Sequence, residues 1–467
     1  MDRITRQVVD YTAAFSLANL TEPVIASAIN HVVDTIAVAI VGHDSEQAAI
    51  GARIARTARS QTPATVIGFD TATTPELAAF VNTIMVRTYD WNDGMQAKGG
   101  GHPSDMLPGI LAIGEVRHAP GPDVLAAITL AYELLGGMGS QVAIGDLGFD
   151  QGTLMAPATA LACGWLMGLD PERLAHAASL ALVPNVPLGV SRWGALSMMK
   201  GCATAFGVRN GVFAAILARE GMTGPAEPFE GIFGLQHQTG VFDIRLPVLP
   251  GGPSVMEMAH QKPVPAETQV LALLELVPAI RAFAALDDIE TITVDLPDHA
   301  YEHIADPPKY DPRTRETADH SLPYMLAVAL ADGEITLDSY RPERYLDPAL
   351  RPLMQKIVCR PDEELSQMRR DLMHGVTRPA PARIAVRTTD GREYREQVMY
   401  YKGHHRNPMT HDDIDRKFAT ICDRFMTADE GGRLREAWWG VADSPDIATL
   451  MSLLATVSKD READHGD

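Results

Sequence analysis

The sequence predicts a mainly α protein: a large helical-bundle domain with a smaller α+β lid domain inserted into it. Three observations carry this reading. Through about residue 235, apolar residues recur at three- and four-residue spacing in one segment after another. After Leu235 the chain becomes rich in proline and glycine and then alternates apolar with polar residues, as strands do. Beyond residue 403 the helical spacing returns. The expected division is therefore 1–264 with 404–467 for the helical domain and 265–403 for the lid.

In chain order, the helical segments are PVIASAINHVVDTIAVAIVG (23–42), PELAAFVNTIMVRTY (75–89), PDVLAAITLAYELLGGM (122–138), LMAPATALACGWLMGL (154–169), PERLAHAASLALV (171–183) and SMMKGCATAFGVRNGVFAAILARE (197–220). Thr21 before Glu22-Pro23, Asp123 after Gly-Pro, and Asp170 before Pro171 are read as their start signals. GVFDIRLPVLPGGPSV (240–255) reads as a linker, and QKPVPAE (261–267) as extended chain, because each proline restricts the residue before it. In the lid, IETITVDL (289–296) reads as a strand and ARIAVRTTDGREYREQVMYYKG (382–403) as a hairpin turning at Asp390-Gly391. ADHSLPYMLAVALADG (318–333) and LRPLMQKIV (350–358) read as helices. DDIDRKFATICDRF (412–425) and IATLMSLLATV (447–457) complete the bundle, and the charged end SKDREADHGD (458–467) reads as frayed.

Composition bounds the function. The chain has 467 residues, 46% hydrophobic and 21% charged, an ordinary balance for a folded protein. Its formal net charge of -20 argues against nucleic acid or an anionic membrane as partner, since both select basic surfaces. No run approaches the roughly 18 apolar residues of a membrane span, and VVDTIAVAIVG is interrupted by Asp34. The start MDRITRQVVDYTAAFSL lacks the apolar core of a signal peptide. Cys163, Cys202, Cys359 and Cys422 stand far apart, without a CxxC pair, so neither a disulfide framework nor a local metal motif is written here. A cytoplasmic, metal-free and cofactor-free protein is the expectation.

The richest stretch for chemistry is TYDWNDGMQAKGGGHPSDMLPGILAIGE (88–115). Asp90 and Asp93 precede Gly99-Gly100-Gly101, a run that lets backbone approach a ligand. His102 follows, just before a helix that Ser104 is expected to cap; a helix start favours an anion and a neutral imidazole. Two acids and an imidazole can supply a base and an acid near neutral pH, although a capped helix beside a solvated acidic loop has the same pattern. Lys200 is the only charge between Arg192 and Arg209, and in a first helical turn it opposes the macrodipole. Read alone, it is a lysine snorkelling to water. Lys262, in HQKPVPAET, reads on its own as a surface lysine at the edge of an interdomain cleft. In KYDPRTRETADHSLPY, Tyr310 and His320 are weaker candidates, read as a loop tyrosine and a capping histidine.

DWNDGMQAKGGGHPSD resembles the signature of the MmgE/PrpD family, an acidic D-x-[DN]-D element followed by HPS. Lys200 in its Gly/Ala-rich helix, KPVPAE at Lys262, RETADHSLPYMLAVALADGEIT, and KGHHRNPMTHDDIDRKF also match, in family order and over nearly the whole chain. The family includes 2-methylcitrate dehydratase, cis-aconitate decarboxylase and iminodisuccinate epimerase, and the step from Asp90 to His102 looks like that of the dehydratases. The resemblance implies a helical domain with an α+β lid, a homodimer, and an active site between the domains that uses Asp90, His102, Lys200 and Lys262. Asp93, Ser104, Gln151, Tyr310 and His320 are taken as substrate-binding. The lysines would hold carboxylates of a small polycarboxylic substrate and stabilise enolate-like charge. Two departures stand out. Gly94-Met95 replaces the Thr-Trp that usually follows the acidic element, and Gln151 stands where another active-site histidine aligns. A dehydratase of a tricarboxylate is the first expectation, a decarboxylase or epimerase the second, and a non-catalytic acid-binding protein the third.

Overall fold

The computed structural model describes residues 1–194 and 196–457, so the charged end read as frayed lies outside the described residues. The helical part opens with α1 (Arg3–Ala14), α2 (Glu22–Gly42) and α3 (Glu46–Ala55). A short hairpin, β1 (Ala64–Val66) with β2 (Thr71–Thr73), then leads to α4 (Pro75–Thr88). α5 (Leu107–Arg117), α6 (Gly121–Gly139), α7 (Gly152–Leu166), α8 (Pro171–Leu182) and α9 (Met199–Arg219) complete the bundle's first part. Asp170 caps α8 by accepting from Arg173 N at 2.9 Å. The other two start signals differ from expectation. Thr21 flanks α2 without a side-chain cap bond, and Asp123 sits inside the first turn of α6, whose capping position is Pro120.

α2 and α9 are each 21 residues long and apolar enough to cross a membrane, longer than the run that Asp34 interrupts. They are nevertheless mostly interior, with 72% and 61% of their apolar windows packed inside the fold. Small residues permit that packing: a Cβ on Gly211 would meet Ala156 O of α7 at 2.6 Å, and one on Gly207 would meet Gly152 O at 2.7 Å.

A second hydrophobic core gathers residues between Ala266 and Tyr401, separate from the core of the helical part. Its sheet contains β3 (Ile289–Leu296), β4 (Ile357–Pro361), β5 (Ala382–Thr388) and β6 (Glu393–Val398), in the order β4-β3-β5-β6. β3 pairs in parallel with β4 and antiparallel with β5, and β5 and β6 form the expected hairpin, with Gly391 at φ 89° in its turn. The run LRPLMQKIV is helical only through Gln355; its last residues enter β4, because Ile357 and Cys359 point into the core while Val358 faces outward. α10 (Asp298–Ile304) and α11 (Leu322–Asp332) pack on the sheet through the second core, and α12 (Glu363–Asp371) packs against β3 and α10.

α13 (His411–Phe425), α14 (Ala428–Trp439) and α15 (Ile447–Ser452) return to the first core. Lys417 of α13 fixes this return. Its buried ammonium lies 2.7 Å from Asp34 of α2 and donates to Trp91 O at 2.9 Å and Lys262 O at 3.0 Å. The C-terminal helices thereby clamp the two segments that build the site.

Candidate active site

A cleft of about 510 Å³ runs between the helical part and the lid. Its floor forms around Asp90, just past the end of α4 and held at φ 52°, a left-handed conformation that Asp tolerates better than most residues. Arg87 of α4 approaches Asp90 Oδ1 at 2.6 Å, and Lys262 Nζ donates to the same oxygen at 2.9 Å and to the Asp90 carbonyl at 2.8 Å. Lys200 Nζ lies 3.7 Å from Asp90 Oδ2 and donates to Asp319 Oδ1 at 2.6 Å. Burial alone would raise the pKa of Asp90; Arg87, Lys262, Lys200 and His320 together hold it well below the usual carboxylate range. Lys200 and Lys262 are only 2% and 1% exposed, so neither snorkels and neither is a surface residue.

Asp90, Asp319 and His320 offer three potential metal-ligating atoms within 4.8 Å of one another. The Lys200 ammonium already occupies this group's charge, since it touches Asp319 and also lies 3.0 Å from His320 Nδ1.

His102 is fixed differently. Its Nδ1 lies 2.5 Å from the backbone carbonyl of Asp93, and a carbonyl can only accept, so Nδ1 carries the hydrogen and Nε2 keeps its lone pair. Burial, with the nearby Arg87 charge, holds the imidazole's pKa well below its usual value, and the ring lines the cleft as a neutral base. Ser104 does not cap the following helix: it lies inside the one-turn helix Pro103–Met106, and its hydroxyl accepts from Asn92 Nδ2 at 2.8 Å. Asp93 takes over the capping part by accepting from Ser104 N at 2.9 Å, while its other oxygen accepts from Tyr132 Oη at 2.5 Å. Gly100 and Gly101 have φ of 56° and 144°, which lets the loop turn back so that Gly101 O accepts from Met95 N.

Asp90, His102, Lys262, Gln151 and His320 line the cleft; Lys200, Asp93 and Ser104 stand behind this wall. Tyr310 is not part of it, for its hydroxyl accepts from Cys359 N at the lid sheet. Several lining residues escaped the sequence reading. Asp319, the partner of Lys200 behind the wall, also did, although it directly precedes His320 in sequence. Glu267, within the KPVPAE match, is buried and pushed up to about 7, chiefly by desolvation. Arg369 and Arg378 reach in from the lid. His260 is the most telling. It forms a two-way backbone bridge with Gly94, both bonds at 2.9 Å, and its ring occupies the space a side chain at 94 would fill. A Cβ there would meet His260 Cε1 and Nε2 at 2.4 Å.

The family model of the MmgE/PrpD N-terminal domain matches residues 6–241, and that of the C-terminal domain matches 265–439. The chain belongs to the MmgE/PrpD family. Within the family it is similar to a cis-aconitate decarboxylase-like protein of Aspergillus oryzae, at 23% identity over 97% of each chain. It is also similar to the 2-methylcitrate dehydratase of Salmonella typhi, at 29% identity over 71% of this chain and 72% of that one. The human cis-aconitate decarboxylase is 23% identical over 97% of this chain and 94% of its own. The C-terminal family model crosses from the lid core into α13 and α14, which pack on the helical core.

The contact between Gly94 and His260 gives a testable coupling. Gly94→Ala is expected to destabilise the fold by about 1–3 kcal/mol through overpacking against the imidazole. In Gly94→Ala/His260→Ala most of that loss should vanish, as a double-mutant cycle from urea unfolding would register. Additive losses would mean that the two side-chain positions do not compete for space.

Proposed function

We propose that this chain is a cofactor-independent lyase acting beside a carboxylate of a small di- or tricarboxylic acid. Dehydration of a 2-methylcitrate-like hydroxy acid is the reaction we favour. The observation that carries this reading is His102, which lines the cleft beside Lys262 with its tautomer fixed by the Asp93 carbonyl so that Nε2 keeps its lone pair. Such a base can remove a proton from the carbon beside a substrate carboxylate. Lys262 spends two of its three N–H donors on Asp90 and retains one for the charge that develops on that carboxylate. As the C–H electrons form the carbon–carbon double bond, the C–O bond breaks. The leaving hydroxide takes a proton from Glu267, a carboxyl poised at about 7, and departs as water.

The dehydratase named among the relatives and the step from Asp90 to His102 support this choice. Decarboxylation is the second reading, supported by the decarboxylase-type relatives that align over 97% of this chain. An NMR screen in deuterated buffer with a strong chelator present separates the readings. Citrate, 2-methylcitrate, cis-aconitate, malate and aspartate-derived acids would be supplied. Formation of an unsaturated acid is expected. Loss of carbon dioxide would replace dehydration by decarboxylation, and deuterium uptake without net change by epimerisation. Inertness toward every acid would leave a binding protein, and activity restored only by added metal would overturn cofactor independence.

A homodimer is proposed as well. Met199, Phe206 and Phe213, seven residues apart on one stripe of α9, are 40%, 38% and 45% exposed, an apolar face suited to a second copy. Sedimentation equilibrium is expected to give twice the 50.5 kDa chain mass; a single-chain mass would refute it.

His102→Asn is expected to lower turnover about 10²–10⁴-fold with little change in stability. In the parent enzyme, Glu267 donates while protonated, so kcat should fall as pH rises through about 7. Glu267→Gln should lower kcat and remove that alkaline limb. A higher KM with turnover retained in His102→Asn would move the base assignment to Asp90.

A further inference from the structure

Five arginines line the cleft, and their pairing divides them sharply. Arg87 is 2.6 Å from Asp90, Arg192 is 2.8 Å from Asp150, and Arg370 is 2.5 Å from Glu363. Arg369 and Arg378 make no ion pair among the described residues, although Arg369 is only 7% exposed. Their hydrogen bonds are to neutral groups. Arg369 Nη2 donates to Gln96 Oε1 at 3.3 Å, and Arg378 Nη2 donates to the Ala97 carbonyl at 2.8 Å. The Nε of each is buried without any hydrogen-bond partner. Two guanidiniums in one wall, with donors left over, are costly unless an anion joins them. Burial, followed by the repulsion of Arg378, lowers the pKa of Arg369 to about 9 against the weaker opposing pull of Glu267, and burial lowers that of Arg378 against the pull of Asp146; neither acid forms an ion pair with its arginine.

We infer that Arg369 and Arg378 form a receptor for a second substrate carboxylate, remote from the carbon that reacts at His102. Planar guanidiniums with spare N–H groups match the two oxygens of a carboxylate. Both arginines belong to the lid side, yet both bond the 96–97 segment that leads through Gly99–Gly101 to His102. An anion seated there joins lid and loop while its chain extends toward Lys262 and His102. The inference rests on the lyase reading and adds to it a place for the second carboxylate of that di- or tricarboxylic substrate, on Arg369 and Arg378 at the lid side of the cleft. A monocarboxylate fills only half of the site.

Calorimetric titration of the intact protein with glutarate and with glutaramate tests this, because the amide keeps the shape and removes one charge. Neither ligand carries a hydroxyl to eliminate. Glutarate is expected to bind at least tenfold more tightly, the loss of a charge-assisted contact being roughly ten- to a hundredfold. In Arg369→Met and Arg378→Met the two ligands should bind within threefold of each other. Melting temperatures add a second readout. If the arginines are there for an anion, removing one relieves repulsion in the free protein, so Arg378→Met should melt no lower than the parent. A lower melting temperature with unchanged discrimination would make the pair structural and overturn the proposal. So would equal binding of the two ligands by the parent protein. Turnover separates this from the lyase reading. Discrimination without turnover of any acid removes the lyase and keeps the receptor; turnover without discrimination does the reverse.

Discussion

The molecule is organised around one buried carboxylate. Asp90 is 2% exposed, and a carboxylate so far from water is tolerated only when cations and donors surround it. Those partners arrive from distant parts of the chain: Arg87 from α4, Lys200 from the first turn of α9, Lys262 from the segment 261–267, and His320 from the approach to α11. Each must be in place for the charges to balance. Buried ion pairs therefore help to fix the interdomain junction. Lys417 extends the arrangement by bonding the carbonyls of Trp91 and Lys262 while pairing with Asp34.

This network changes what the lysines can do. A lysine that already donates to Asp319 or Asp90 is not a free receptor for a substrate carboxylate. Lys200 serves by positioning Asp319 and His320 from behind the wall, and Lys262 faces the cleft with one donor to spare. The lid arginines add anion-binding capacity to the single spare donor of Lys262. A protein with a formal charge of -20 thus keeps two arginines without ion pairs in one wall, where they can attract an acid.

Much of this was legible in the sequence, and the limits are physical. Long helices such as α2, α6 and α9 announce themselves because burial on most faces demands sustained apolar residues. Lys200 could be singled out because a cation opposes the dipole of a helix start. Lys262 could not be recognised as buried, since its polar, proline-rich surroundings are those of a surface loop and its partners Asp90 and Lys417 are distant in sequence. The segment EELSQMRRD looks like a solvated helix, so Arg369 was invisible until tertiary structure turned one side toward the cleft. β4 was missed because a short parallel strand directly after a helical turn has no periodicity of its own to separate it.

The position after Asp93 shows how a departure from a family pattern can be an exchange rather than a loss. Glycine at 94 removes a hydroxyl that the family's dehydratases usually carry there, which from sequence alone reads as a weakened site. In the folded chain the vacated space holds the ring of His260, aligned by the backbone bridge between the two residues. His260 is buried and lines the cleft; burial, together with the Lys262 charge, keeps its pKa well below the usual range, so the imidazole is neutral. A neutral imidazole can accept or donate a hydrogen bond according to its tautomer, as a hydroxyl can by rotating, but it is larger and reaches farther. The glycine and the histidine are therefore one feature. Substituting either alone removes the physical reason for the other, and the cleft's shape at this point follows from the pair.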